Sequence, residues 1–317
     1  MGKEMNLTKA LDVVVIGTPA VDMLARVEVM PHTDGLAVAK TYARYPGGAG
    51  ANVAVGIARL GKKVGFIGRL GDDDGGQMLM RDFEIEGVDT RGIRISPDED
   101  TPACFIAVDQ EGNRMIFALG GVILSEEIDK NQLSVLDGIR GLFITDVPHE
   151  IAVTAIEECR KHSSTVFLNP GGLLLDEGLD VLTPLISMVD VLIISRSEMA
   201  RLMGKVDPAS AARVISRIGP EVVLITLGAE GALILEDNTV SRIEPFEAPK
   251  IVDTTGAGDA FTAGLMAARL ESLDWQVAAK IGAAVAAIKI GHEGARGGLP
   301  TRHQVDEFIK QRSRGDL

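Results

Sequence analysis

Two short segments of this sequence combine small residues with an acid or an amide in patterns that could do chemistry. The first, Asp253-Thr254-Thr255-Gly256-Ala257-Gly258-Asp259, runs into an apolar stretch of helical period at 260–270. Gly256, Ala257 and Gly258 leave successive backbone N–H groups uncovered ahead of a helix start. A row of bare amides with a helix dipole behind it binds anions such as phosphate oxygens. Asp259 repels such an anion unless it has work to do there. It could take the proton of an attacking hydroxyl, or sit close to Mg²⁺. An acid in the first turn of a helix also simply complements the dipole, and these residues alone leave both readings open.

The second segment is residues 46–54, PGGAGANVA, again a loop of small residues ahead of a helix. Asn52 offers a donor and an acceptor on one amide, which suits paired sugar hydroxyls, with Gly48 beside it. A capped helix start is the plainer alternative. A third group, Ser195-Arg196-Ser197-Glu198, places an acid where it could hold Mg²⁺ through water. Ser195 capping a helix start with Glu198 in its first turn explains the same residues. None of these is a G-x-x-x-x-G-K-[ST] loop, and neither they nor Gly17-Thr18-Pro19 match the dinucleotide fingerprint. The missing fingerprint excludes a dehydrogenase of the doubly wound kind.

The elements that must position these groups follow from hydrophobic period. Residues 12–17 (DVVVIG) form a β-branched run closed by glycine, and 64–67, 142–145, 165–168, 191–194, 222–226 and 232–235 are further short apolar runs. Helical patterns at 50–61, 75–86 and beyond separate most of them, which predicts a mostly parallel sheet between helices. Residues 26–45 and 94–118 break the rhythm with strand-like runs, and Gln110-Glu111-Gly112-Asn113 reads as a hairpin turn. These stretches are expected to form a small second sheet, a lid inserted into one domain that spans 1–317; edge strands of the main sheet are the alternative. Phe105, Ile106, Val108, Met115 and Phe117 are too many apolar side chains for a thin flap to hide, so the lid is expected to meet a second subunit.

Composition narrows the function classes. The chain has 317 residues, 46% of them hydrophobic but only 4% aromatic, so a large core must rest on aliphatic side chains. Its formal charge of −13 repels nucleic-acid backbones and anionic membranes, so neither is expected as a partner. Cys104 and Cys159 stand far apart without metal-ligand spacing, and both are expected to be reduced. Residues 1–10 are polar, with no secretory pattern and no apolar run long enough to span a bilayer, so the cytoplasm is the expected compartment. The tail after Arg312 is expected to fray.

Taken together, GGAGANVA with Gly61 and Gly71 after it, and DTTGAGDAFTAGLM, resemble the two signatures of the ribokinase-like (PfkB) carbohydrate kinases. The order around them fits too: GTPAVD at 17–22, ITLGAEG at 225–231 and the closing stretch 294–301, so the resemblance spans about residues 12 to 309. It implies an α/β fold with a central, mostly parallel sheet and a small β lid. It implies ATP as phosphoryl donor, Mg²⁺, and a primary hydroxyl of a small sugar as acceptor. A nucleoside kinase of the same fold, or a catalytically weak sugar- or nucleotide-binding regulator, are the alternatives. By resemblance Asp259 is the base and Gly256, Ala257 and Gly258 form the anion hole. Asp22, Gly48, Asn52 and Asp146 hold the acceptor, while Ser195, Thr226, Gly228 and Gly231 line the nucleotide. Glu198 serves Mg²⁺ through water, and Asp253, Thr255, His292, Gly294 and Gly298 match a loop that binds K⁺ in part of the family. The chain departs from the family at Ser195, in place of an Asn, and at Ala49 and Ala283, in place of a Lys and an Asn.

Overall fold

The computed structural model describes residues 10–121 and 128–313; the polar opening at 1–9 and the tail at 314–317 lie outside them. A nine-stranded sheet forms the body. Its strands are β1 (Val13–Ile16), β4 (Val64–Gly71), β5 (Asp89–Ser96), β8 (Gly141–Ile144), β9 (Thr165–Leu168), β10 (Val191–Ser195), β11 (Val222–Thr226), β12 (Ala232–Glu236) and β13 (Thr239–Ile243). β1 lies between β8 and β4, and pairing is parallel from β5 through to β11, with β12 and β13 added antiparallel. The helices are α1 (Ala49–Arg59), α2 (Asp74–Glu86), α3 (Lys130–Leu133), α4 (His149–Cys159), α5 (Gly171–Leu175), α6 (Leu179–Ile186), α7 (Arg196–Met203), α8 (Pro208–Ser216), α9 (Ala257–Leu270), α10 (Trp275–Lys289) and α11 (Arg302–Ser313).

The inner strands β1, β8, β9, β10 and β11 are almost wholly apolar because both faces are covered, whereas the edge strands β5 and β13 carry polar, partly exposed residues. Every residue of β1 is fully buried, and its alternation sorts them: Val13 and Val15 join the core under α1, α9 and α10. Val14 and Ile16 join the opposite core with Ile151 and Ile156 of α4, Leu185 of α6 and Ile215 of α8.

A second sheet of four strands, in the order β3-β2-β6-β7, consists of β2 (Ala20–Arg26), β3 (Thr41–Gly47), β6 (Ala103–Val108) and β7 (Arg114–Ala118). Its limits differ from the stretches read in the sequence. The first strand begins at Ala20, and 27–40 contains no strand: Pro31 lacks an N–H, and Asp34 at φ 61 turns the chain back with Gly35 N–H bonded to the His32 carbonyl. Arg94 to Ser96 belong to β5, paired to β4 at the edge of the main sheet. The turn at 110–113 is present, held by the Asp109 carboxylate, which accepts from the N–H groups of Glu111 and Asn113. Apolar exposure is concentrated in β7 rather than shared along the hairpin: Met115, Ile116 and Phe117 are exposed, whereas Ile106 is buried.

Candidate active site

The carboxyl ends of β8, β9, β10 and β11 open into a cleft of about 220 Å³, where open parallel sheets bind their ligands. Asp146, Asn169, Ser195, Glu198 and Thr226 line one wall, and Gly258 and Asp259 from the start of α9 form the other. Gly256 caps that helix at φ 76, in the left-handed region that favours glycine, and no side chain caps the amides that follow.

Asp259 is placed by helix packing. α1 and α9 approach closely where Gly56 faces Ala263; a Cβ on Gly56 would stand 2.6 Å from that of Ala263. One turn earlier on both helices, Asn52 Nδ2 donates to Asp259 Oδ2 at 2.7 Å. Burial raises the Asp259 carboxyl to about 7; the Asn52 bond opposes this, and the carboxylates of Asp146, Glu198 and Asp22 add to it. Asp22 on β2 lies against Gly47, outside the cleft lining, and is raised to about 6 by burial against the opposing pull of Arg296. β6 places Cys104 opposite Asp22, where burial and the charges of Asp22 and Asp146 push its thiol up. Gly48 caps α1 at φ 88 without a side-chain cap.

Arg296 was not among the residues singled out by sequence. It lies in the closing loop, is 6% exposed, and holds the acceptor corner together. Its Nε donates to Asn52 Oδ1 at 2.9 Å, Nη2 donates to the Gly47 carbonyl at 2.9 Å, and Nη1 pairs with Asp82 of α2. The guanidinium thereby fixes which way the Asn52 amide points. Oδ1 is engaged by the arginine, so Asn52 meets the site as a donor rather than as the donor–acceptor pair expected from sequence. The only sequence signal was an arginine inside the glycine-rich run 294–298.

Asp146 sits at φ 50 and accepts from Gly172 N–H at 2.8 Å, so the loops after β8 and β9 meet over the cleft. Asn169, directly after β9, lines the same wall and anchors it: Nδ2 donates to the Ile193 carbonyl at 3.0 Å and Oδ1 accepts from Gly171 N–H at 2.8 Å. Ser195 and Thr226 are register partners of β10 and β11. Gly228 and Gly231 shape the turn beyond Thr226, and the cleft lining does not include them. Ser195 and Glu198 form a reciprocal capping box, with Glu198 Oε2 accepting from Ser195 N–H at 2.6 Å. Glu198 nevertheless borders the cleft, and no cluster of three metal-binding side chains exists among the described residues. A hard cation held mainly by water and phosphate oxygens fits that donor set.

Asp253, Thr255, His292, Gly294 and Gly298 do come together at the entrance to α9. Asp253 Oδ1 accepts from Thr255 N–H and Oδ2 from Gly294 N–H, each at 2.9 Å. Burial raises the Asp253 carboxyl, but those bonds outweigh it and hold the group below the ordinary carboxylate range. Gly298 packs against the His292 ring. The Asp253 carbonyl accepts from Lys289 Nζ at 2.8 Å, and the carbonyl of Gly294 accepts from Gly297 N–H at 3.3 Å. Both carboxylate oxygens accept N–H groups and an ammonium is seated on the Asp253 carbonyl, so a monovalent metal ion at that carbonyl would stand beside a fixed positive charge.

A helix start without a side-chain cap, with a carboxyl that burial raises to about 7 in its first turn, faces the strand-end cleft beside the small sheet. The chain belongs to the pfkB family of carbohydrate kinases, which residues 10–302 match. It is 32% identical over 294 residues to the ATP-dependent ribose-1-phosphate kinase of Halopiger xanaduensis, covering 92% of this chain and 95% of that protein. It is 33% identical over 276 residues to the ribokinase of Haemophilus influenzae, covering 83% and 87%. The solved structure of Arabidopsis thaliana ribokinase with ribose and ATP superposes with a TM-score of 0.86 at 26% identity, over 95% of this chain and 99% of that one.

Proposed function

We propose that this kinase transfers the γ-phosphoryl group of ATP to a primary hydroxyl of a small sugar, with Asp259 as general base. The observation that carries the reading is the Asp259 carboxyl, raised to about 7 and fixed by Asn52 at a helix start that no side chain caps, where the Ala257 N–H donates to the Thr254 carbonyl at 3.2 Å. At neutral pH a large share of that carboxylate is free to accept a proton, and its basicity is well above that of an ordinary aspartate. The acceptor O–H gives its proton to Asp259 while its oxygen forms the new bond to phosphorus. The bond to the bridging oxygen breaks and the electron pair leaves with ADP. The amides of 256–258 receive the charge that spreads over the transferring group.

Asp22, Gly48, Asn52 and Asp146 hold the acceptor's hydroxyls, and the second Nδ2 hydrogen of Asn52 serves in this contact. Ser195, Thr226, Gly228 and Gly231 position the nucleotide. Glu198 would hold Mg²⁺ through water, and the ion would supply charge neutralisation to the phosphates. The enzyme works in the cytoplasm as a homodimer. Both cysteines are free thiols, which supports a reducing compartment. No helix among the described residues is long and apolar enough to cross a membrane. The exposed apolar side chains of β7, together with Leu119 and Tyr42, support face-to-face pairing of two lids.

The test is ADP release measured with pentoses, hexoses, ribose 1-phosphate, keto-acids and nucleosides as acceptors. Turnover with a free or phosphorylated pentose or hexose upholds the reading. Turnover with nucleosides alone reassigns the acceptor, and ATP binding without turnover on any acceptor supports a regulatory protein instead.

A further inference from the structure

The bonds around the loop that enters α9 point to a cation that the chain supplies itself. Lys289 is the last residue of α10 and is fully buried, although lysine is among the side chains least often found so. Its ammonium is not paired face to face with a carboxylate; Nζ donates to the backbone carbonyl of Asp253 at 2.8 Å. Removing an ammonium from water costs several kcal/mol after relaxation. A position that bears such a cost for one carbonyl contact needs a reason beyond packing.

The surroundings supply one. α9 and α10 pack closely, with a Cβ on Gly264 coming within 2.9 Å of the Gly282 Cα. The carboxyl end of α10 thus lies beside the amino end of α9. Lys289 neutralises the negative end of its own helix and adds to the positive end of the next. The carboxylates of Asp253 and Asp259 both act on it, and Arg114 of β7, which donates to Thr255 Oγ1 at 3.3 Å, is the other cation facing it. Asp253, held by Lys289 at its carbonyl, ties the amides of Thr255 and Gly294 together through its carboxylate. The ammonium is therefore at the knot that sets the path of 253–258, the loop from which the anion hole is built.

We propose that Lys289 is a tethered cation that organises the anion-hole loop and makes the enzyme independent of monovalent metal ions. A mobile K⁺ at the same carbonyl would stand next to a fixed ammonium, and the two charges would repel. The proposal rests on the kinase reading of the site, and Lys289 acts as a positioning residue, with no contact to the reacting atoms.

The experiment compares wild type and Lys289→Met in KCl, NH₄Cl and choline chloride at equal ionic strength. Its readouts are ADP release with an accepted sugar and Mg·ATP affinity by titration calorimetry. Wild type is expected to show the same turnover and the same affinity in all three salts. Lys289→Met is expected to lose roughly tenfold or more in choline, as removal of a preorganised electrostatic group does, and to recover selectively in K⁺ or NH₄⁺. Selective rescue by an ion of the right size is something a merely structural lysine would not give. Several-fold activation of wild type by K⁺ overturns the proposal, whether or not the variant folds. So does a folded Lys289→Met that responds to no cation. If no acceptor is turned over, the kinase reading fails by itself, while the salt dependence of Mg·ATP affinity still decides this one.

Discussion

The starts of α1 and α9 are built alike and stabilised differently. Each helix begins at a glycine with positive φ, Gly48 at 88° and Gly256 at 76°, and neither has a side-chain cap. Each presents one polar side chain from its first turns to the other, Asn52 to Asp259. The start of α1 is pinned by a single buried guanidinium, Arg296, which reaches a backbone carbonyl, a side-chain amide and the carboxylate of Asp82. The start of α9 is pinned by an acid and a lysine that act on backbone, Asp253 and Lys289. Both anchors run through the loop at 291–298. Bare helix starts can bind ligand only if something other than a cap holds them, and here one loop does so for both halves of the site. The α1 side is thus held by side-chain bonds and the α9 side by bonds to backbone, the difference on which the proposed assignment of acceptor and phosphate sides rests.

That contrast can be broken most severely at Asp259. Asp259→Asn preserves shape and removes the base, so turnover should fall by about 10²–10⁴-fold, with Mg·ATP affinity by calorimetry little changed. Near-normal turnover would leave Asp259 as a helix-start acid and nothing more.

Arg296→Met attacks the other anchor. It leaves the Asp82 carboxylate and Asn52 Oδ1 without their partner, and breaking a buried pair on one side typically costs about 3–5 kcal/mol. Urea denaturation should show that loss, and Arg296→Met combined with Asp82→Leu should recover part of it. If the double variant is restored in stability but still binds the acceptor poorly, the guanidinium matters for how Asn52 is aimed as well as for folding.

Asp22→Ala should separate the halves. The acceptor KM should rise about 5- to 150-fold, equivalent to roughly 1–3 kcal/mol for a hydroxyl left unpaired. The KM for ATP should move far less, and a larger effect on ATP would reverse the assignment of the two sides.

pH sharpens the comparison further. Asp259 is raised to about 7, so protonation as pH falls removes the base, and kcat/KM should drop about tenfold per unit below that point. An acid limb near 4 instead would mean that the burial of Asp259 is relieved in solution. The mildest change to turnover is expected at the lid: Phe117→Glu should convert a sedimenting dimer to a species near the chain mass of 33.6 kDa. Wild type already sedimenting at that mass would remove the dimer.

Local signals were enough for a good part of this molecule. Short β-branched runs between helical periods specify a parallel sheet covered on both faces, because buried strands need apolar residues on each side and exposed ones do not. Small residues before Asn52 and before Asp259 mark helix starts without a side-chain cap, and the two starts do meet, Asn52 against Asp259. What lies between those loops was decided only in three dimensions. Arg296 meets Asn52 across 244 positions of sequence, and Lys289 meets Asp253 across 36. A long charged side chain reads as solvated in a sequence, since its usual place is the surface. Its burial depends on which carbonyls and carboxylates the fold brings within reach. The lid shows the same limit: strand-like composition marked where a second sheet would be. Pairing alone decided that Ala20 starts it and that Arg94 belongs to the main sheet, because register is a property of two strands and not of one.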